Sequence, residues 1–249
     1  MKQKLTIGWL YPRLMSLYGD RGNIISLQKR CEWRDIEVSV KPLELGSNGN
    51  DLKTCDMLFM GGAQDRQQKL VSDDLLDKKE IILSKINSNT PGLFICGAYQ
   101  FLGKYYKDAD GTKIKGLEIF DLYTESLPNK PRLIGNIALE SNLEGKEILI
   151  GFENHGGRTI LGQNAKPFGR VLKGFGNNGE DKNEGIIYNN SIGTYLHGPV
   201  LPKNPSIADF LIKKALENKY HSPIVLKKLD DSLELTAKKM IAKRMSVAL

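Results

Sequence analysis

Two short apolar runs in this 249-residue chain each end on a side chain that can attack a carbon or move a proton. The first, Gly92-Leu93-Phe94-Ile95, runs into Cys96, Gly97 and Ala98; the second, Gly193-Thr194-Tyr195-Leu196, runs into His197 and Gly198. A strand that stops at a nucleophile and turns at once into a helix holds that side chain at the apex, and the helix N-terminus behind it favours thiolate over thiol. Gly97 and Ala98 are small enough to permit the turn, and the Gly97 N–H would point to where an oxyanion forms during acyl transfer. A plainer reading stands beside this one: a buried thiol closing a core strand, the commoner fate of a lone cysteine.

A thiol nucleophile needs a base, and the chain has His155, His197 and His221. His197 ends its run as Cys96 ends the other. Residues at the carboxyl ends of neighbouring strands can meet across a cleft although they stand in different halves of the sequence. An imidazole so placed takes the thiol proton and later returns it to the leaving group. Spacing leaves a satisfied structural histidine open as the alternative. His155, within GFENHGGRT, falls in a polar Gly-rich loop where lining a site and stabilising a turn are both open. His221, ahead of Ser222-Pro223, reads as a surface linker residue.

Positioning these side chains requires a sheet, and the first hundred residues spell one. Lys4 to Tyr11 reads as a buried strand, Ile24 to Trp33 as an amphipathic helix, Glu37 to Leu43 as a second strand and Asp56 to Met60 as a third, bounded by Gly61-Gly62. Gln64 to Asn87 suggests one long or two short helices, and Gly92 to Ile95 is the next strand. This alternation predicts a doubly wound α/β fold with a mostly parallel sheet flanked by helices. In such sheets ligands sit outside the carboxyl ends of the strands, where both Gly61-Gly62 and Cys96 fall. After Tyr106 the texture is β-rich, with runs at Gly116–Glu125, Arg132–Leu139, Glu147–Glu153 and Gly185–His197. Helices return at the end: Ser206 is expected to cap one, and Asp231 with Glu234 forms a capping box for another. The expected organisation is a domain over residues 1–205 with a helical extension, 206–249, packed on it.

Composition narrows the class. A hydrophobic fraction of 40% and a charged fraction of 26% are ordinary globular values. No apolar run approaches the roughly 18 residues that span a bilayer, and the N-terminal sequence lacks a signal-peptide pattern, so a cytoplasmic protein is expected. Cys31, Cys55 and Cys96 are odd in number without CxxC spacing, which predicts neither a disulfide framework nor a metal site. From Ser206 to Leu249 nine Lys or Arg face five Asp or Glu, part of a net charge of +7. Those cations alternate with apolar residues and no RNA-binding aromatic signature accompanies them, so a solvated helix face is read there and no nucleic-acid partner.

Taken together, LFICGAYQ, MGGAQD, GFENHGGRT and GTYLHGP resemble the class I glutamine amidotransferases of the cobyric acid synthase (CobB/CobQ) type. LMSLYGDRGN, PRLIGN and HGPVLPKNP narrow the resemblance to the glutaminase subunits of lipid II isoglutaminyl synthases. It runs from about Ile7 to about Ala215, and the last thirty or so residues carry none of its motifs. The resemblance implies that Cys96 attacks the side-chain amide of L-glutamine, forming a glutamyl thioester and releasing ammonia, with His197 as acid and base. It implies oxyanion donors at the backbone of Gly62, Ala63 and Gly97, a glutamine-binding arginine at Arg132 and a pocket-lining amide at Gln100. Without it, Arg132 reads as a strand-edge surface residue and Gln100 as a helix-surface one.

In one respect the chain departs from many class I relatives, in which a glutamate two residues after the histidine orients it. Here that residue is Pro199, which leaves a dyad, and Asp20 in YGDRGN is the first place to look for a substitute. No GxxxxGK[ST] loop is present, so the chain is expected to make ammonia without activating an acceptor. By resemblance, acceptor activation belongs to a Mur-ligase-like partner that uses ATP and magnesium on the D-glutamate α-carboxylate of lipid II, giving D-isoglutamine; this chain holds no cofactor itself. The two chains would form a heterodimer, and the partner could meet the basic tail at Lys238, Lys239 and Lys243. Other readings are a cobyrinate-type glutaminase and a non-catalytic scaffold of the same fold.

Overall fold

The computed structural model describes residues 2–63 and 65–249. Its first half alternates as the sequence does: β1 (Lys4–Leu10), α1 (Arg21–Glu32), β2 (Glu37–Leu43), α2 (Gly49–Lys53), β3 (Met57–Met60), α3 (Asp65–Asp77), α4 (Lys79–Asn87), β4 (Gly92–Ile95) and α5 (Gly97–Phe101). The second half carries β5 (Tyr105–Lys107), β6 (Lys113–Lys115), β7 (Leu122–Ser126), β8 (Leu133–Ser141), β9 (Ile148–His155), β10 (Gly157–Leu161), β11 (Gly169–Lys173), β12 (Asn183–Glu184), β13 (Ile186–Tyr188) and β14 (Ser191–Thr194). It closes with α6 (Val200–Lys203), α7 (Pro205–Tyr220) and α8 (Ser232–Arg244).

Among the described residues the strands form three sheets. The main one has the order β13-β14-β4-β3-β1-β2, parallel except where β13 and β14 make a hairpin. Parallel neighbours need a crossover, which the helices between β1 and β4 supply. Strands β3, β4 and β14 are buried at every residue, as expected of strands covered on both faces. Two further four-stranded sheets, β10-β7-β5-β6 and β12-β11-β8-β9, make the second half β-rich. One apolar cluster runs through the main sheet and the neighbouring elements, from Leu5 and Ile7 through Phe94 and Phe120 to Leu211 and Leu216.

Three expectations at the chain's end are corrected. Ser206 lies inside α7, whose N-cap is Asn204; that side chain bonds Ile150 N–H and C=O instead of the helix. Asp231 is the N-cap of α8 but closes no capping box, because its carboxylate is drawn to Arg30 Nη1 at 2.5 Å. Arg30, buried in α1, also grips Asp209 of α7, which Arg34 shares, so two arginines tie the C-terminal helices to α1. Lys238 does not lie on a solvated face: it is 3% exposed and paired with Glu147, while Ala242 and Met245 pack on Ala138 and Ile150. No helix among the described residues is long and apolar enough to cross a membrane.

Candidate active site

Four strand ends build the site. β1 leads through a turn to Asp20, β3 to Gly62 and Ala63, β4 to Cys96, and β14 to His197. The pairing that matters is β14 beside β4, with Thr194 opposite Ile95 and the Cys96 N–H donating to Thr194 C=O at 2.8 Å. A strand from the second half thus slots in next to the cysteine strand, and both chemical residues emerge at the same edge. Cys96 has φ 53° and ψ −105°, a left-handed backbone that costs a non-glycine residue of order 1–3 kcal/mol. The neighbours that over-determine it are β4 before it and α5 after it, whose Gln100 N–H donates to Cys96 C=O. Strain of this kind holds the thiol outward at the turn.

His197 is fully buried beside the cysteine, and its ring is coupled electrostatically to Cys96. Its Nδ1 faces Asp20 Oδ1 across 3.3 Å, so the Nδ1–H donates to the carboxylate and Nε2 is the nitrogen left for sulfur. Asp20 is equally buried, and its second oxygen accepts the Gly62 N–H at 2.7 Å. Gly62 stands where the three meet: a Cβ on it would come within 2.9 Å of His197 Cε1, 3.2 Å of Cys96 Cβ and 3.5 Å of Asp20 Oδ2. Burial opposes a charge on His197, but the coupling to Cys96 and the hydrogen bond to Asp20 outweigh it and push the imidazole up to about 10. At neutral pH the ring is therefore cationic, ready to give up a proton.

The expected oxyanion donors need one correction. The Gly62 N–H is committed to Asp20, which leaves Ala63 and Gly97. The Gly62 C=O accepts from Leu17 N–H at 3.1 Å, and because a trans peptide points its C=O and N–H in opposite directions, the Ala63 N–H faces away from Leu17. A Cβ built on Gly97 would lie 3.2 Å from Ala63 N, so the two donors flank one small space beside Cys96.

In front of the thiol lies a cavity of about 390 Å³ lined by Cys96, Ala63, Gln68, Gln100, Arg132 and His155 among others. Arg132 sits just ahead of β8, its guanidinium held by Asn154 through Nε to Oδ1 at 2.9 Å and Nη2 to the backbone C=O at 2.8 Å. Anchored this way, it presents a fixed cation at the mouth, suited to a carboxylate. Gln100 is buried on the floor. His155 does not lie in a loop as its Gly-rich surroundings suggest. It ends β9, is buried, donates its Nδ1–H to Gly157 C=O at 2.8 Å, and stacks on Tyr195 with ring centroids 3.6 Å apart. Burial pushes its pKa down, which keeps it neutral as a wall of the cavity. His221 is exposed, the left-handed residue that ends α7. Gln68, which lines the cavity, and Tyr195 and Thr159, which are linked behind Gln100 by hydrogen bonds, carried no signal in the sequence.

A family model described as a CobB/CobQ-like glutamine amidotransferase domain matches residues 6–205. The chain belongs to that family. As a CobB/CobQ-like amidotransferase it is 45% identical to the subunit GatD of lipid II isoglutaminyl synthase (glutamine-hydrolyzing) from Staphylococcus aureus, over 97% of this chain and 96% of that one. It is 41% identical to the same-named subunit from Streptococcus pneumoniae, over 92% of this chain and 87% of that one. Among solved structures, PurLQS from Thermotoga maritima matches with a TM-score of 0.51 at 15% identity, covering 89% of this chain and all of that one, a likeness of fold. In this chain a cysteine on a strained turn, a buried histidine and an arginine anchored at the cavity mouth come together at one sheet edge.

Proposed function

We propose that this chain is the glutamine-hydrolysing subunit of a lipid II isoglutaminyl synthase. The observation that carries the reading is end-to-end identity of 45% to a subunit of that name, in a chain whose Cys96 and His197 meet at one sheet edge. Arg132 holds the α-carboxylate of L-glutamine, which aims the side-chain amide at Cys96. Sulfur attacks the amide carbon, a C–S bond forms, and the oxyanion is received by the Ala63 and Gly97 N–H groups. His197 gives its proton to the nitrogen, the C–N bond breaks and ammonia leaves. Water then attacks the thioester, His197 takes the water's proton, the C–S bond breaks, and glutamate departs with the thiol restored. Asp20 holds the imidazole with Nδ1 protonated throughout, so that Nε2 is the end that exchanges protons with sulfur, nitrogen and water.

The ammonia is consumed by a partner subunit, in this reading a Mur-ligase-like chain that uses ATP and magnesium to activate the D-glutamate α-carboxylate of lipid II. Both work in the cytoplasm, which three free thiols suit. The test is release of glutamate and ammonia from glutamine by the purified chain, with and without the co-expressed partner, beside its Cys96→Ala variant. Release that depends on Cys96 and yields amidated lipid II with the partner is the expected outcome. Release without amidation of lipid II would turn the reading toward a different acceptor, such as a cobyrinate, and no release at all toward a scaffold.

A further inference from the structure

Helix α3 lays one side chain, Gln68, onto the elbow. It is 2% exposed and lines the cavity next to Cys96. Its Nε2 donates in two directions, to Ala63 C=O at 3.3 Å and to Gln100 Oε1 at 3.1 Å. A backbone carbonyl can only accept, so it fixes which end of the carboxamide is nitrogen, and the rest of the network follows. Gln100 Oε1 must accept, Gln100 Nε2 donates to Tyr195 Oη at 3.1 Å, and that hydroxyl lies 2.7 Å from Thr159 Oγ1, itself 2.7 Å from Thr124 Oγ1. Every member is buried.

Two glycines show how tightly the backbone is pressed on these amides. A Cβ on Gly97 would come within 2.8 Å of Gln68 Nε2, and one on Gly157 within 2.8 Å of Gln100 Nε2. The directional chain therefore joins three walls of the site: the turn after β3, the elbow helix α5, and the segment between β14 and His197. The first two carry the oxyanion donors.

We propose that Gln68 is a positioning residue for amide hydrolysis: by clamping Ala63 to Gln100 it sets the spacing of the Ala63 and Gly97 N–H groups and the face that Gln100 turns to the substrate. The inference rests on the glutaminase reading above. A donor pair is effective only at hydrogen-bond distance from the position the oxyanion will occupy, and a misplacement of about 1 Å can cost on the order of 100-fold in rate.

The experiment compares the wild-type complex of this chain and its partner with Gln68→Met, which fills similar volume without a donor, and Gln68→Glu, which sets an acceptor against two acceptors. The expected result is a fall in kcat of about 10- to 100-fold in both, with KM within about threefold of wild type. Alkylation of Cys96 by iodoacetamide should keep its wild-type pH profile, because the thiol, His197 and Asp20 are untouched. Turnover by Gln68→Met within about twofold of wild type overturns the proposal. So does a fall accompanied by a changed alkylation profile, which marks a disturbed elbow instead of misplaced donors. Absence of glutaminase activity in the wild-type complex is a separate outcome: it removes the functional reading, and this proposal with it.

Discussion

A carboxylate with two oxygens and two different donors explains the histidine better than a dyad does. Asp20 spends one oxygen on the Gly62 N–H and the other on His197 Nδ1, so a single side chain fixes both the turn after β3 and the tautomer of the base. Asp20→Asn should separate these duties. The amide oxygen keeps Gly62, the NH2 then faces Nδ1, and the ring is driven to carry its proton on Nε2, where it cannot accept from sulfur. We expect kcat to fall by about 100-fold or more with little loss of stability; undiminished turnover would remove Asp20 from the site. The proton that His197 holds makes a second test. Its folded value of about 10, against 6.5 for an ordinary histidine, means that the stabilisation is fully present below pH 6.5 and is lost as pH rises through 10. In an NMR titration the ring of the wild-type protein should turn over near the upper value. Cys96→Ala, which removes the thiol, should move it down, and an unmoved midpoint would contradict the pairing. Cys96 and His197 were legible in the sequence because each closes an apolar run at a glycine. Gln68 was not, since a glutamine near the start of a polar helix looks the same whether it faces water or a cavity.

Elements of the first half could be read almost residue by residue: β4 has the bounds its apolar run suggests, because a fully buried parallel strand leaves continuous hydrophobic text, and β2, at the sheet edge, has the bounds its alternation suggests. The second half reads poorly for physical reasons. Gly185–His197, seen as one run, is a hairpin, β13 and β14, with a left-handed Asn189 at its turn. Within Gly116–Glu125 only the final residues enter a strand, while Leu117 and Phe120 pin a loop to α5 by bonding Phe101 and Leu102. Tertiary pairing decides such cases, and local sequence does not carry it. The end of β14 is held by Glu184, whose Oε1 accepts from Thr194 Oγ1 and Tyr195 N–H, both at 2.7 Å. Burial pushes this carboxyl up to about 8, so the native protein keeps a proton that the unfolded chain releases above 4.5. Stability should therefore decline as pH rises from 4.5 through 8, and Glu184→Gln should remove that slope. Melting temperatures between pH 5 and 6.5, below the window of His197, would show it; an identical slope in the variant would refute it.

At the scale of the whole chain, buried arginines add to the apolar packing where the C-terminal helices meet α1. Arg30 is 3% exposed while its partners Asp209 and Asp231 remain 29% and 22% exposed, so the pairs are partly screened. Arg30→Ala, which takes the arginine from Asp231 and leaves Asp209 to Arg34, should cost about 2 kcal/mol, below the range for a fully buried pair. A lower urea midpoint at unchanged slope is the expected signature; an unshifted midpoint would mean that the arginine adds nothing net. Charge balance of this sort lies beyond sequence patterning, which saw a basic tail but not the acids it had already met.

The placement of β14 beside β4 has a temporal side. A ribosome delivers Cys96 about a hundred residues before His197, and until Ser191–Thr194 emerge, β4 has an unpaired edge where its neighbour belongs. Under the proposed mechanism, a first half without β14 has the thiol without its base, however well its helices form. Strand pairing over so long a separation is intrinsically slow to close, so the meeting of Cys96 with His197 depends on a contact that local structure alone does not supply.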